Sequence, residues 1–362
     1  NINKTERENK FPVNAELVLK TIDYILAPRY EVRKMDVHLK PLIKAFRHII
    51  REFLYPADIL DFVVRDSYYT GAKEYGMVDI DRLLQFSVII SSIIGFKEYI
   101  TPDIALFDNA LNTFRAFLMS RFWLFNNVYF HKLSRIMDFA VKNMLKFSYL
   151  EGCIDYEGAI LSIVEDGDIS KYVLLDDYYV LYSSLKCSKA AEYAKMILYR
   201  KPPLREIFYH EIPQPLEYKG EKIDTLEEED LLAIKREIKE VISEKLQIDP
   251  ENIVLDHPPI RFFPDNPYLP GRTLTILSMR GDKPIDYRNL TVGDATAGMA
   301  LNLTVLRIFI GAEHEREVIT RFKGRSTQGI IYKELKERNL LMRFRNALIL
   351  GFSREREYGI TM

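Results

Sequence analysis

The sequence has few of the features that mark secreted, zinc-binding or membrane proteins. Its 362 residues include two cysteines, Cys153 and Cys187, which are far apart along the chain and form no CxxC unit. This pattern argues against a disulfide framework and a zinc knuckle, and it fits a reducing cytoplasm. The longest apolar runs, such as 86–96, are interrupted by serine and glycine and are too short to span a bilayer. We therefore expect a cytoplasmic protein with no membrane partner.

The sequence also lacks an excess of charge of either sign. Lysine and arginine total 51 and aspartate and glutamate total 52, so no general attraction to nucleic acid is expected and any basic site must be local. One basic cluster stands out near the C-terminal end, with glutamates interleaved: Arg338, Arg343, Arg345, Arg354 and Arg356. The interleaving favours a solvated strand face over a nucleic-acid-binding surface.

The first 200 residues have the apolar spacing of helices. Apolar residues recur every three or four positions from residue 39 to residue 53, which traces one helical face. The same periodicity, interrupted by proline and glycine, predicts helices at 58–70, 79–94, 103–124, 126–149, 174–186 and 188–200, with a short strand at 96–100. Residues 1–200 are therefore predicted to form a helical domain.

The pattern changes after Lys201, where two prolines are followed by β-branched and aromatic runs between turn residues. We expect a smaller α+β domain over residues 201–362. Its predicted helices are 226–246 and 313–322, and its predicted strands are 253–256, 272–278, 303–310 and 347–352. The fold class is thus mainly α followed by a smaller α+β domain.

The most informative segment is 56–71, a predicted helix that carries several carboxylates. Asp58 and Asp61 are three residues apart, and Asp61 and Arg65 are four apart, so these groups meet on one helical face. In a purely structural interpretation Asp58 is the N-cap of the helix and Asp61 with Arg65 is an ordinary surface pair. A carboxylate at this place is also a suitable ligand for a divalent cation.

Four blocks in this part of the chain resemble the motifs of the HD-domain dNTP triphosphohydrolases, in the same order. The 56–71 segment is similar to that family's "D-x-D-x-x-D-Y-x-x-R-D-x-x-x-x-G", and Tyr75-Gly76 with Asp79, Arg82 and Leu83 continues it as "YG-x-x-D-x-x-R-L". Residues 121–132 resemble "R-x-x-x-x-x-x-VY-x-H-K", and residues 174–177 resemble "L-x-D-D". Residues 198–200 resemble the closing "L-x-x-R" with one intervening residue fewer. Each block alone is short and degenerate, and the ordered set is the specific signal.

The resemblance implies an HD-type helical domain with a divalent metal ion, which could be Mn, Mg, Fe or Zn. By this resemblance Asp58 is the last protein ligand of the ion and Asp66 lies near the substrate sugar. Arg121, Tyr129 and Lys132 match positions that line the triphosphate and the sugar, and we also place Tyr69 at the site. The implied partners are a nucleotide substrate and a second copy of the chain in a homo-oligomer.

The sequence departs from the family's pattern at several positions. Pro56 stands where the family has an aspartate, Phe62 stands where it has a tyrosine, and Ile59 replaces a frequent basic residue. These changes bear on nucleotide selectivity more than on metal binding. No His-Asp dipeptide occurs in the sequence, so the catalytic residues and the other metal ligands are expected upstream of Asn1.

Three functions follow from these observations. The leading prediction is metal-dependent hydrolysis of a nucleotide phosphoester, with triphosphate removal as the reaction. The alternative is a non-catalytic nucleotide sensor or scaffold that has lost the HD centre. A nucleic-acid-binding function for residues 201–362 is disfavoured by the balanced charge.

Overall fold

The structure is a computed structural model. Apart from three isolated positions near the N-terminus, it describes residues 46–50, 54–93, 100–214, 228–260, 274–281, 283–287, 302–322 and 325–348. The predicted helical face over residues 39–53 and the predicted strand at 96–100 fall largely outside these described residues.

Helices dominate the described part of the chain, which confirms the predicted fold class. In chain order they are α1 (Ala57–Thr70), α2 (Ile80–Gln85), α3 (Leu111–Leu124), α4 (Lys132–Leu150), α5 (Tyr156–Asp166), α6 (Ser170–Val173), α7 (Asp177–Ser184), α8 (Lys189–Leu198), α9 (Glu228–Leu246), α10 (Glu315–Arg321) and α11 (Thr327–Glu337). Residues 340–348 form a further helix, α12. Short 3₁₀ segments occur at Lys73–Gly76, Asp108–Ala110, Pro250–Asn252 and Ala312–His314, and a π-helical turn at Phe125–Tyr129 follows α3.

The strands belong to two small sheets. They are β1 (Ser87–Ile93), β2 (Ile100–Phe107), β3 (Leu204–Gln214), β4 (Ile253–Asp256), β5 (Pro259–Ile260), β6 (Thr275–Leu277), β7 (Ile285–Asp286) and β8 (Asn302–Gly311). One sheet has the order β1-β2-β6-β7, in which β2 and β6 are parallel and the outer pairs are antiparallel. The other has the order β3-β8-β4, with β5 also paired to β8.

The strand β1 corrects the predicted helix at 79–94. Helix α2 ends at Gln85, and the chain then continues as an antiparallel pair of strands, β1 and β2. The β-branched run that begins at Val88 favours a strand, and a short apolar run cannot be assigned to helix or strand from its periodicity alone. For the same reason the helix predicted from residue 103 begins only at Leu111.

The C-terminal part also differs in detail from its prediction. The strand predicted at 347–352 is helical at residues 347 and 348, and its remaining positions lie outside the described residues. Helix α5, helix α11 and strand β3 were not predicted as separate elements, whereas α9, α10, β4 and β8 lie close to their predicted bounds.

The chain divides into two compact units. The first comprises residues 1–125, 215–218 and 261–302, and the second comprises residues 126–214, 219–260 and 303–362. These bounds differ from the predicted boundary after residue 200. Helices α4 to α8 belong to the second unit, in which Ile136 of α4 packs against Leu204 and Phe309 of the sheet.

In the first unit an aromatic cluster surrounds the buried ring of Phe114. The ring centroids of Tyr55 and Tyr287 lie 5.5 and 5.6 Å from it, and Phe117 stacks at 6.4 Å. Because Tyr55 precedes α1 and Phe114 belongs to α3, this cluster fixes both helices against the sheet.

In the second unit strand β8 is covered on both faces. Leu306, Ile308 and Ile310 belong to the large core shared with α9 and α11, whereas Phe309 faces α4. A strand buried on both faces is expected to be almost continuously apolar. The buried polar exceptions are Thr304 and Arg307, which are only 1% and 4% exposed.

Candidate functional site

Asp58 lies in the first turn of α1. The helix begins at Ala57 with Pro56 as its N-cap residue, and the Asp58 carboxylate accepts the backbone N–H of Ile59 at 2.8 Å. Asp58 is therefore not the N-cap of the structural interpretation. It remains exposed, so its oxygen atoms are accessible to a cation.

The neighbouring charges on α1 form a surface network. The Nε atom of Arg65 donates to the Asp61 carboxylate at 2.9 Å, which confirms the predicted surface pair. A second Arg65 nitrogen lies 3.4 Å from the carboxylate of Asp66, whose side chain is about one quarter exposed. Tyr69 is 81% exposed, so in the described residues it lines no enclosed site.

Arg121 is brought close to α1 through an aromatic pair. Phe62 meets Phe125 edge to face with ring centroids 6.1 Å apart, and the guanidinium of Arg121 lies 4.6 Å above the ring of Phe125. Arg121 is only 7% exposed. A ligand could therefore reach its guanidinium only within an enclosed pocket.

The residues of the "YG-x-x-D-x-x-R-L" block have structural roles. Gly76 lies so close to α1 that an added Cβ atom would be 1.9 Å from the Oγ atom of the buried Ser67. Asp79 caps α2 by accepting the N–H of Arg82, whose guanidinium donates twice to the carbonyl of Asn109. This block holds α1, α2 and α3 in place rather than providing free polar groups.

The block at residues 121–132 ends at the start of α4 in the second unit. His131 is the N-cap of this helix, and its Nδ1 atom accepts the N–H of Leu133 at 3.3 Å. Lys132 is half exposed, with its Nζ atom 3.9 Å from the Glu206 carboxylate. Tyr129 belongs to the π-helical turn and is half buried.

Near the start of α4, the sheet formed by β3, β8 and β4 carries a largely buried set of charged side chains. Arg307 is 3.1 Å from Glu206, and its guanidinium lies 5.2 Å above the ring of Tyr209. Burial raises the pKa of Tyr209, and the hydrogen bond to Glu211 adds to this shift. Since a buried charge is costly unless it is paired, this arrangement holds the only buried arginine of strand β8 in one position.

The Asp256-His257 dipeptide at the end of β4 is part of the same region. Asp256 is the last residue of β4 and binds Arg135 of α4, with the shortest distance at 2.7 Å. The ring of His257 meets Phe344 at 5.5 Å, and burial lowers its pKa to about 4. The neutral imidazole of His257 is therefore a packed core group and not a candidate acid.

The remaining motif residues end or begin helices. Asp176 of the "L-x-D-D" block caps α7 by accepting the N–H of Tyr179 at 2.7 Å. Arg200, the last residue of the "L-x-x-R" block, follows α8 with a positive φ of 51°. Asp176 and Arg200 therefore lie where the chain turns into or out of a helix.

The two cysteines are bonded to each other, which corrects the prediction made from their separation in sequence. Cys153 follows α4 and Cys187 precedes α8, with their Cα atoms 6.2 Å apart. The fold brings them together because α4 and α8 pack side by side, with Phe147 stacked on Tyr193 at 5.8 Å. The distance along the chain therefore gives no support for a reducing compartment.

Metal ligands are sparse around the predicted site. Within the described residues, the only close group of three ligand-type side chains is Glu151 with the two cysteines, whose sulfur atoms are bonded to each other, and Asp58 belongs to no such group. Glu151 accepts hydrogen bonds from Ser188 and Lys189 at the start of α8. Asp58 alone does not provide the several ligands that a catalytic divalent ion requires.

The basic cluster near the C-terminal end lies on a turn and a helix where it is described, which corrects the predicted strand face. Arg338 follows α11, and Arg343 and Arg345 lie on α12. Arg343 binds Glu237 at 2.8 Å, and Arg338 lies 3.7 Å from Glu244. Arg354 and Arg356 are outside the described residues.

Comparison with known proteins relates the middle of the chain to one family. Residues 90–267 match the family model of the HD associated region. This part of the chain is therefore similar to the HD associated region. The matched HD-associated region includes Arg121, Tyr129 and Lys132, whereas Asp58, Asp66 and Tyr69 precede it.

Two curated relatives, both uncharacterized, share sequence with part of the chain. The protein MJ1154 of Methanocaldococcus jannaschii is 26% identical over 125 residues, which is 34% of this chain and 26% of that protein. YwfO of Bacillus subtilis is 28% identical over 132 residues, which is 35% of this chain and 28% of that protein. The aligned part thus spans about a quarter of the length of either relative.

Two solved structures share the fold. A hypothetical protein from Aquifex aeolicus has a TM-score of 0.56 and 19% identity, and the alignment covers 86% of this chain and 66% of that one. A phosphohydrolase from Bacteroides thetaiotaomicron has a TM-score of 0.50 and 15% identity, with 85% and 70% covered. In the described part of the chain, no helix has the length and apolar content needed to cross a membrane.

Proposed function

We propose that the chain is part of a metal-dependent phosphohydrolase that removes triphosphate from a nucleotide. The match to the HD-associated region and the fold shared with a phosphohydrolase support this proposal at the level of the reaction class. The ordered motif blocks support the nucleotide substrate.

In the proposal Asp58 provides one oxygen ligand to the ion. Its carboxylate is exposed and is of the hard type that divalent cations prefer. The other ligands are a histidine-aspartate set that residues 1–362 do not contain. A bound ion would supply charge neutralisation and an activated water molecule.

The residues of this chain bind and orient the substrate. Lys132 lies at the exposed start of α4, and its ammonium group binds phosphate oxygens after it leaves the Glu206 carboxylate. The N-terminal end of α4 adds the favourable dipole that helices offer to anions. Arg121 neutralises phosphate charge from a buried position, where an electrostatic interaction is stronger than in water. Asp66 and Tyr69 are proposed to lie near the sugar.

The experiment compares two carboxylates on the same helix in the full-length protein, including any segment before Asn1. Asp58→Asn should remove bound metal and lower kcat for triphosphate release with Mn²⁺ or Mg²⁺. Asp61→Asn is the matched control, since Asp61 is exposed on the next turn and paired with Arg65. Full metal content and activity in the Asp58→Asn protein would overturn the metal-ligand assignment.

A second pair of variants tests phosphate binding. Lys132→Gln should lower kcat/KM by tenfold or more, which corresponds to about 1.4 kcal/mol, without changing metal content. Lys142→Gln, exposed on the same helix, should have no effect. Nucleotide binding without release of triphosphate in the full-length protein would instead support the non-catalytic sensor. The proposed homo-oligomer is tested separately by light scattering.

A further inference from the structure

The second unit contains a cavity that none of the motif blocks explains. It lies between the end of β3 and the helices α11 and α12, with a volume of about 470 Å³. This volume is in the range of small-molecule sites. The lining of the cavity includes no residue of the proposed active site.

The walls of the cavity are mainly apolar and include two flat rings. His210 of β3 and Tyr332 of α11 meet edge to face, with centroids 5.5 Å apart. Ile212, which is buried, and Met342, which is more than half exposed, line the same space. Such walls suit the apolar body of a flat ligand.

Two cations line the cavity without a carboxylate partner among the described residues. They are Lys336 of α11 and Arg345 of α12. The other basic residues nearby have acidic partners: Lys333 with Glu337, Arg338 with Glu244 and Arg343 with Glu237. Lys336 instead lies 5.8 Å above the Tyr332 ring. The two cations at the cavity are therefore available to an anion.

The other ionisable groups of the cavity do not cancel this charge. Glu211 is the carboxylate in its lining, and it accepts the hydroxyl of Tyr209 at 2.5 Å. Burial lowers the pKa of His210, which favours the neutral form of its ring. Two cations and one carboxylate leave the cavity with a net positive charge.

We propose that this cavity binds a small organic anion with a flat apolar body. The anionic group, a phosphate or a carboxylate, lies between Lys336 and Arg345. The ring lies against Tyr332 and His210, where both an apolar contact and an edge-to-face contact are available. This site is additional to the proposed phosphohydrolase site.

Calorimetric titration with defined probes tests the ligand class. Phenyl phosphate and benzoate combine a ring with an anion, inorganic phosphate has the anion alone, and benzyl alcohol has the ring alone. At least one ring-bearing anion should bind saturably and at least tenfold more tightly than either single-feature probe. Absence of saturable binding by both ring-bearing anions would overturn the proposal.

Exposed variants locate the binding. Lys336→Gln and Arg345→Gln should each weaken binding fivefold or more, whereas Lys333→Gln on the same helix should not. Tyr332→Leu should lower the affinity for the ring-bearing probes and leave the affinity for inorganic phosphate unchanged. All four positions are on the surface, and a melting curve for each variant checks that it is folded. Equal affinity in the Lys336, Arg345 and Lys333 variants would place the probe elsewhere and contradict the proposal.

Discussion

The guanidinium of Arg135 binds the carboxylate of Asp256 through two of its nitrogen atoms, at 3.0 Å from Nε and 2.7 Å from Nη2. The two residues are 121 positions apart, and the pair joins α4 to the end of β4. The hydrogen bond to Asp256 raises the pKa of Arg135. Bidentate pairs of this kind are among the strongest charge-assisted contacts in proteins.

This geometry predicts that Asp256→Asn lowers the free energy of unfolding by about 1.5–3 kcal/mol, the value of a hydrogen bond to a charged group. Asp138 is a matched control because it also binds Arg135, at 3.0 Å, but its side chain is 61% exposed on the same helix. Asp138→Asn should cost less than about 0.5 kcal/mol. Urea unfolding of both variants measures the difference, and equal losses would contradict the ranking.

Position 76 has no room for a side chain as long as Ser67 keeps its observed position. An added Cβ atom would lie 1.9 Å from the Ser67 Oγ atom, which itself donates to the carbonyl of Val64. Gly76→Ala should therefore cost about 1–3 kcal/mol through overpacking. Ser67→Ala in the same chain should restore part of the loss, as measured in a double-mutant cycle of thermal or urea unfolding. Additive losses would argue against the contact.

The bond between Cys153 and Cys187 is expected to stabilise the packing of α4 on α8. It closes a loop with a sequence separation of 34 residues. In the chain-entropy description such a loop corresponds to about 3–4 kcal/mol. Wild-type protein should melt at a lower temperature when a reductant is added. A variant with both cysteines changed to serine should melt low and should not respond to the reductant. A wild-type melting curve that is independent of reductant would count against the bond.

His257 predicts a specific loss of stability in acid. Burial lowers its folded-state pKa to about 4, below the usual value of about 6.5 in the unfolded chain. The unfolded state therefore gains a proton first as the pH falls through this window. Stability should decrease from about pH 6.5 to about pH 4, by about 3 kcal/mol in total from this group. Above pH 6.5 the group contributes no pH dependence.

The corresponding variant is His257→Phe, which keeps a ring against Phe344 and removes the titrating group. Its free energy of unfolding should decline less steeply than that of the wild type between pH 6.5 and pH 4. The two proteins are compared by urea titration at several pH values. Parallel curves for the two proteins would show that His257 does not titrate in this window.

Several elements could be predicted because their signals are local. The apolar period and the flanking turn residues predict α1 within one residue of its observed start, and Gly71 ends it with a positive φ of 80°. The acidic start and the long apolar period of α9 likewise predict its position. In both helices the local helical preference of the sequence agrees with the packing, so tertiary contacts change the helix bounds little.

Other elements could not be predicted from local signals. Val88 and its apolar neighbours fit a helix or a strand equally well, and only the pairing of β1 with β2 decides between them. The purely structural interpretation puts Asp58 at the N-cap because a proline-containing turn precedes it, but Pro56 occupies that position. The 11-residue strand β3 and the turn after α11 carry no clear periodic signal.

The sequence by itself determined that the protein is mainly helical with a smaller α+β part, and it placed the motif segment 56–71 on a helix, because helix period and turn chemistry act over a few residues. Only the tertiary structure decided which distant residues meet. It joined Cys153 to Cys187, Arg135 to Asp256, and Lys336 and Arg345 at one cavity. Those contacts depend on how packed helices and strands fill a common core, and the order of residues along the chain carries no direct record of that packing.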